Sequence, residues 1–302
     1  MTKLKSPFAS FKSSGTVGNT ITTQTRYGKT FARTKPIPTD PKSLAQAYQR
    51  WNYQDYANLW HTLSTAQKQQ YESNARPYHM TGFAYWMRLS LKALTNLAAH
   101  WRMDERTGLS VIDFSRNGNT GTITGATHVP GLIDYCLSFS GVANYVNCGN
   151  KTSLRISTLI TIELLLNPTS LANKQFIDKF TSDWVNYFNG WRIDTLNTGK
   201  IRAYWSDTTI PYDQITSLSD YTPGAWNHIA FTLDGTDAKL YLNGNLDISQ
   251  PQVKQMVAET ISPLYLGGSS TFISGLLDDA RIYNRALSPE EIKIHSERKY
   301  PL

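Results

Sequence analysis

Gly275-Leu276-Leu277-Asp278-Asp279-Ala280-Arg281-Ile282-Tyr283, running on through Asn284-Arg285-Ala286-Leu287-Ser288-Pro289-Glu290-Glu291-Ile292, joins a strand of alternating side chains to a short capped helix. The alternation predicts Leu277, Ala280 and Ile282 facing a core, with Leu287 beyond them, and Asp279, Arg281 and Arg285 facing water. Ser288 is placed to cap the helix and Pro289 suits its first position. Glu290 and Glu291 sit at the positive end of its dipole.

Working back from that strand, short β-type segments recur: Leu132–Phe139, Tyr145–Cys148, Leu159–Asn167, Gln175–Lys179, Trp191–Thr195, Lys200–Trp205, Trp226–Asp234, Lys239–Leu242 and Leu264–Gly267. Asn, Gly, Asp and Pro separate them, the pattern of an antiparallel all-β sandwich. Within one of them Trp226, Ile229, Phe231 and Leu233 roughly alternate inward. Asn243-Gly244 is the dipeptide of a type I′ hairpin, since both of its residues tolerate positive φ.

The N-terminal third reads differently. Residues 1 to about 38 form an extended basic arm, with Thr-rich runs broken by Gly15, Gly18, Gly28, Pro36 and Pro38. Such an arm buries little apolar surface by itself and is expected to add to another subunit as strands, unless it is a tail without a role. Residues 39–97 carry helical periodicity. Asp40-Pro41 opens it, and Leu44, Ala47, Tyr48, Trp51, Leu59 and Trp60 follow at near-helical spacing. Ser64-Thr65-Ala66-Gln67 is a capping box for a second helix, which Pro77 ends, and Thr81-Gly82 starts a third. The expected organisation is the arm (1–38), a small three-helix anchoring domain (39–97) and the β sandwich (98–302).

Charge divides the chain along the same line. Residues 1–100 carry 13 Lys plus Arg against 3 Asp plus Glu, whereas residues 101–302 carry 17 against 20, so the two parts suit different partners. Arg26, Lys29, Arg33 and Lys35, interleaved with Tyr27 and Phe31, are candidates for anchoring to an acidic lattice. The same residues could neutralise phosphates, but no nucleic-acid motif accompanies them, so nucleic acid ranks below a protein lattice. No apolar run approaches the roughly 20 residues that span a bilayer. Met1 to Asn19 lack the apolar centre of a secretory signal, so the chain is expected to be soluble and made in the cytoplasm. Cys136 and Cys148 flank two strand segments and are either a cross-strand disulfide or two buried free thiols.

Four blocks occurring in order resemble the laminin-G-like, concanavalin A-like jelly rolls. They are Trp101-Arg102-Met103-Asp104-Glu105 with Asp113-Phe114-Ser115-Arg116-Asn117-Gly118-Asn119; Leu137-Ser138-Phe139-Ser140-Gly141-Val142-Ala143-Asn144-Tyr145-Val146; Trp226 to Gly235 leading to Leu240-Tyr241-Leu242-Asn243-Gly244; and the closing strand. The resemblance covers about residues 98–298 and implies a fold that more often binds glycans or proteins than catalyses. It also implies a structural Ca²⁺, for which Asp113, Asn117 and Asn119 offer an oxygen-rich loop and Asp278 a carboxylate on the neighbouring strand. Asp113 could equally cap its own turn, and Asp278 could be a hydrogen-bonded edge carboxylate.

A glycan site needs exposed aromatics beside hydrogen-bonding groups. Trp184, Tyr187, Trp191, Tyr204, Trp205, Tyr212 and Tyr221 are candidates, with Trp184/Tyr187 and Trp205/Asp207 the two clusters placed first. Catalysis is not expected. A glycosidase of this fold needs two carboxylates flanking one bond, yet Glu163 has no partner two or four residues on, and alternation turns Asp278 and Asp279 to opposite faces. His228 reads as a structural residue at a strand start.

Residues 15–95 also resemble a module of tailed-phage structural proteins, through Tyr27-Gly28-Lys29 to Arg33, Pro36-Ile37-Pro38-Thr39-Asp40-Pro41-Lys42-Ser43, Gln46, Arg50, Trp60-His61-Thr62-Leu63-Ser64-Thr65-Ala66-Gln67 and Gly82-Phe83. That resemblance implies a virion surface protein, a homo-oligomer anchored to capsid or tail proteins, whose jelly roll contacts host-surface polysaccharide. The alternative is a cellular lectin or adhesin with the helices as an oligomerisation unit.

Overall fold

A computed structural model describes residues 15–17, 21–26, 29–34, 44–93, 95–132, 134–182, 188–209 and 212–297. Two compact units divide the chain, Met1–Asn52 and Tyr53–Leu302. The sequence-derived boundary at 97/98 therefore falls inside the second unit, and most of the helical segment belongs with the β sandwich.

In the first unit, β1 (Gly15–Val17), β2 (Ile21–Arg26) and β3 (Lys29–Thr34) form an antiparallel meander, with Arg26 opposite Lys29. The arm was expected to find its strand partners on another subunit. Instead the short span between β2 and β3 lets its backbone groups pair within the chain.

Helix α1 (Leu44–Thr62) leads into α2 (Thr65–Ala75) and α3 (Gly82–Ala93). The Ser64 side chain accepts from the Gln67 backbone while the Gln67 side chain accepts from the Ser64 N–H, so the capping box forms as read. Tyr56, Leu59, Leu63, Tyr71, Trp86 and Met87 make the helical core, and the Trp86 indole donates to the Tyr56 carbonyl (3.0 Å). Among the described residues no helix is long and apolar enough to cross a membrane.

The sandwich follows in chain order. Its strands begin with β4 (Leu97–Trp101), β5 (Ser110–Val111), β6 (Gly121–Thr124), β7 (Thr127–Pro130), β8 (Tyr135–Ser140), β9 (Tyr145–Asn147), β10 (Ile160–Pro168) and β11 (Lys174–Ser182). They continue with β12 (Phe188–Thr195), β13 (Ile201–Asp207), β14 (Asp213–Thr216), β15 (Asn227–Leu233), β16 (Asp237–Leu242), β17 (Asn245–Pro251), β18 (Tyr265–Leu266) and β19 (Ser274–Tyr283), before α4 (Pro289–Ser296). The first sheet runs β17-β16-β15-β10-β19-β8-β7 with β4 also on β19, and the second runs β14-β13-β12-β11-β18-β9-β6-β5. All pairings are antiparallel, the expected jelly roll. Asn243 and Gly244 take φ of 52° and 77° at the β16–β17 turn, as a type I′ hairpin requires.

The core between the sheets takes Leu277, Ala280 and Ile282 from β19 and Ile229, Phe231 and Leu233 from β15, as their alternation predicts. Two expectations about β19 need correction. Its pairing with β10 slips between Glu163 and Leu165, and Asp279 sits at the slip with φ of 47°. This bulge breaks the two-residue period, so Asp278 and Asp279 both lie on the outward side of the sheet. Asp279 there bonds to Arg281, and Asp278 is the cross-strand partner of Leu165. Asp279 and Arg281 also do not face water: they are 8% and 2% exposed.

The outward face of the first sheet is covered. Ile292 and Leu287 pack onto Ala230, Tyr241 and Tyr283, and Ile294 joins α4 to the helical core. Cys136 and Cys148 are both free and buried, on strands of opposite sheets or just beyond them, so no disulfide joins them.

Candidate functional site

The outward face of the second sheet is built by the phase of four neighbouring strands. A register slip between Gln175 and Ile177 lets Phe176 and Ile177 both enter the core, and the alternation restarts with Asp178 outward. Asp178 then pairs with Arg192, Arg192 with Tyr204, and Asp194 with Arg202. Phe180, two residues beyond Asp178, shares their face.

Arg192 holds the centre. Its guanidinium carbon lies 4.6 Å from the Phe180 ring centroid and 5.5 Å from that of Tyr204. Nη1 donates to the Tyr204 hydroxyl (2.7 Å), and Nη2 is 3.8 Å from Asp178 Oδ2, which also accepts from Ser269 (2.7 Å). Arg202 grips Asp194 with two nitrogens (3.1 and 2.6 Å), and its guanidinium carbon lies 5.3 Å from the Tyr204 ring centroid. Tyr212 extends the aromatic surface, 5.0 Å from the Tyr204 centroid.

Two atoms of this cluster, Asp178 Oδ1 and Arg192 Nε, are buried and make no hydrogen bond among the described residues. Burial pushes the Asp178 carboxyl up to about 6, against the pull of Arg192 and Ser269. Burial likewise raises the Tyr204 phenol, so it stays protonated at neutral pH. The face therefore combines apolar rings, a fixed cation and an acceptor that titrates just below neutrality. Asp178, Tyr204, Arg192 and Phe180 are 1%, 4%, 6% and 8% exposed, so a ring-shaped ligand meets this face at the half-buried Arg202 and Tyr212, both packed on Tyr204. Its two acids each face a guanidinium.

Trp184 and Tyr187 fall in the connection after β11, outside the described residues. Trp205 corrects the other expected cluster. It is fully buried, packs on Phe231 (5.6 Å) and donates its indole N–H to the Lys254 carbonyl (2.8 Å), so it is a core residue. Asp207 holds the turn after β13: bonds from Thr209, with Lys254 behind them, bring its carboxyl down to about 2. Trp191 and Tyr221 also belong to the core. Arg26, Lys29 and Arg33 lie on the β2–β3 hairpin, and Lys35 lies outside the described residues.

The oxygen-rich loop is knitted together by its own donors. Asp113 Oδ1 accepts from the His100 and Ser115 amides (3.0 and 2.8 Å), and Oδ2 accepts from the Asn119 amide and side chain (2.7 and 2.9 Å). Asn117 donates to the carbonyls of Leu97 and Ala98 (3.1 and 2.9 Å). Asp278 takes part in none of these bonds. Its carboxylate lies toward Gly131 and the Cys136 thiol, on the β8 side. Among the described residues no three His, Cys, Asp or Glu side chains stand together as a metal would need.

Sequence reasoning treated Glu163 as isolated and His228 as a lone structural residue. The structure joins them beneath α4. His295 donates through Nδ1 to Glu163 Oε2 (2.6 Å), and His228 Nε2 is 3.7 Å from Oε1. Burial opposes charge on Glu163, but His295 and His228 outweigh it and hold the carboxyl below its usual range. Beside them, His100 Nε2 lies 2.7 Å from Asp279 Oδ1, and Arg281 donates to Asp279 Oδ2 (2.5 Å).

A family model described as the concanavalin A-like lectin/glucanases superfamily matches residues 140–293. No curated protein matches the chain. Among solved structures it is similar to the binding domain of Paraclostridial mosquitocidal protein 1 (18% identity, TM-score 0.57, 68% of this chain and 52% of that one). It is also similar to domain 4 of AbnA, an extracellular arabinanase from Geobacillus stearothermophilus, in complex with arabinotriose (23%, TM-score 0.52, 66% and 97%). A third likeness is to the botulinum neurotoxin serotype D ligand binding domain in complex with N-acetylneuraminic acid (15%, TM-score 0.53, 68% and 52%). The chain spans about half the length of the toxin binding domains and nearly all of the arabinanase domain. At these identities the likeness is one of fold.

Proposed function

This chain belongs to the concanavalin A-like lectin/glucanases superfamily, and we propose that it is a non-enzymatic carbohydrate-binding protein that holds a glycan on the outward face of its second sheet. The observation that carries this reading is the half-buried pair Arg202 and Tyr212, both packed on Tyr204 and backed by the buried Arg192, Phe180 and Asp178. Aromatic faces accept the C–H side of a sugar ring while a guanidinium bonds its hydroxyls. The arabinotriose and N-acetylneuraminic acid in the similar structures support a saccharide ligand. The arginine facing each of Asp178 and Asp194 supports binding over cleavage. A glycan array with the full chain tests it: at least one saccharide should be retained, and a folded Arg202→Ala chain should lose it. Retention by that variant, or an array without any hit, would sink the assignment.

We propose further that the chain is a virion component and that the unit Met1–Asn52 fastens it to capsid or tail proteins. The basic charge of the N-terminal third and the pattern of residues 15–95 support this. The division at Asn52 sharpens the test. Removing residues 1–52 should abolish incorporation into particles and leave the remaining unit folded. Unchanged incorporation would refute the anchoring role of that unit, and a full chain absent from particles would favour the cellular lectin.

A further inference from the structure

A cavity of about 650 Å³ lies between the α1–α2 turn, α4 and the outward face of the first sheet. Its floor is Leu165 and His228, cross-strand partners on β10 and β15. Trp226 stands just before β15, Gln67 comes from the first turn of α2, and Lys293 and Glu297 come from α4 and its cap. The cavity thus depends on helices that precede the matched family segment, and the volume is within the range of small-molecule sites.

Three features define what fits. First, the lining carries no net charge at neutral pH. Lys293 and Glu297 stand 3.9 Å apart as a pair, and burial holds His228 down at about 4, hence neutral. Second, His228 Nδ1 and Glu297 Oε2 are buried and make no hydrogen bond among the described residues; His228 itself is only 5% exposed. Third, Trp226 is half-buried and absent from the sandwich core, although the sequence pattern pointed it inward. A hydrocarbon ligand would strip water from Gln67, Asn243 and Lys293 of the lining without replacing its hydrogen bonds, at about 1–3 kcal/mol each. An anion would meet a single ammonium already opposed by a carboxylate.

We propose that this cavity is a second binding site, for a neutral saccharide unit whose ring lies against Trp226 and whose hydroxyls meet Gln67, His228 and Glu297. The site uses no residue of the second-sheet face and stands or falls independently of it.

The test uses the full chain and the NMR signals of its indole N–H groups, with Trp226→Phe to identify the relevant signal. The chain is titrated with glucose, galactose, arabinose and N-acetylglucosamine, with N-acetylneuraminic acid as the anionic control. The Trp226 signal should shift saturably with at least one neutral sugar and not with the acid. Gln67→Ala should weaken that sugar by at least about threefold, the loss of one modest hydrogen bond. Since Gln67 also caps α2, Thr62→Tyr, which fills the cavity from the end of α1, is the independent check and should block the shift. The proposal is overturned if no neutral sugar moves the signal up to about 100 mM, a concentration well above ordinary weak affinity. It is equally overturned if the acid moves the signal as strongly, or if Thr62→Tyr titrates like the unaltered chain.

Discussion

Asp178→Asn removes one buried ionisation and leaves the shape of its site nearly unchanged. The Asp178 side chain is 1% exposed, and its carboxyl is raised from 3.8 to about 6, first by burial, with Arg192 and Ser269 pulling the other way. A carboxyl whose folded pKa exceeds its unfolded value binds its proton more tightly in the folded chain. Its stabilising contribution is therefore complete below about pH 4 and is lost as pH rises through about 6. A rise of roughly two pKa units corresponds to about 3 kcal/mol, most of it falling between about pH 4 and pH 7. Asparagine does not titrate. Relative to the unaltered chain, Asp178→Asn should gain about 2–3 kcal/mol of stability on going from about pH 4 to pH 7, whatever its offset at either end. Urea unfolding followed by tryptophan fluorescence at several pH values measures the difference, with equal slopes required for the comparison. Parallel stability curves, separated by a constant to within about 0.5 kcal/mol, would refute the placement of Asp178 as a desolvated acid.

Asp113→Ala should cost at least about 3 kcal/mol, because it strands the buried amides of His100 and Asn119. Thermal denaturation should give the same loss in calcium and in chelator, and a loss seen only in calcium would restore an ion to this loop. Trp205→Ala should destabilise the sandwich by about 3–5 kcal/mol, as expected for deletion of a fully buried indole. Its saccharide affinity, measured on the folded fraction, should stay unchanged, and a selective loss of affinity would return Trp205 to the ligand face. Cys136, pushed up to about 12 by burial and the Asp278 charge, and Cys148, raised by burial, should resist thiol reagents until the chain unfolds. Two thiols should then react without prior reduction; a requirement for reductant would contradict the separation of the two cysteines.

The closing strand shows how much of this was legible in the sequence. Ala280 and Ile282 announced core-facing positions because the two-residue period is local information, whereas Leu277, three residues before Ala280, shares their side through the bulge. The capping box at Ser64 and the helix cap at Ser288 were legible for the same reason: each needs only a few adjacent residues. The bulge at Asp279 was not, since it depends on the register of β10 against β19. Nor was the burial of Arg281, whose surroundings include Tyr56 of α1, far away in the chain. Aromatics failed differently. Tyr204 and Trp205 are neighbours in sequence, yet one lies on the outward face with Arg192 and the other fills the core. Which of the two is the ligand residue is a question of strand phase, and in this sheet the phase is reset by the slip at Gln175. Phe180, Asp178 and Arg192 were passed over because none carries a motif. Register alone makes them a site.

The polar groups the sequence left apart also decide how pH acts on the whole chain, and they act in opposite directions. His228 is held down at about 4, mainly by burial, against 6.5 when exposed. Its contribution is present above about pH 6.5 and is lost as pH falls toward 4, because only the unfolded chain takes up the proton in that window. Asp178 at about 6 and Asp104 at about 7, both raised by burial from 3.8, gain stability over the same descent. Each shift is worth about 3–4 kcal/mol, so the two acids outweigh His228 alone by roughly 4 kcal/mol, and His100, likewise held down at about 4 by burial, offsets most of that remainder. A flat profile for the unaltered chain would thus be cancellation and not absence of buried ionisation. The discriminating comparison is His228→Asn against Asp178→Asn. From about pH 7 to pH 4 the first should gain stability relative to the unaltered chain and the second should lose it. Two variants drifting the same way would show that the layer beneath α4 and the face of the second sheet are not the oppositely tuned environments their geometry implies.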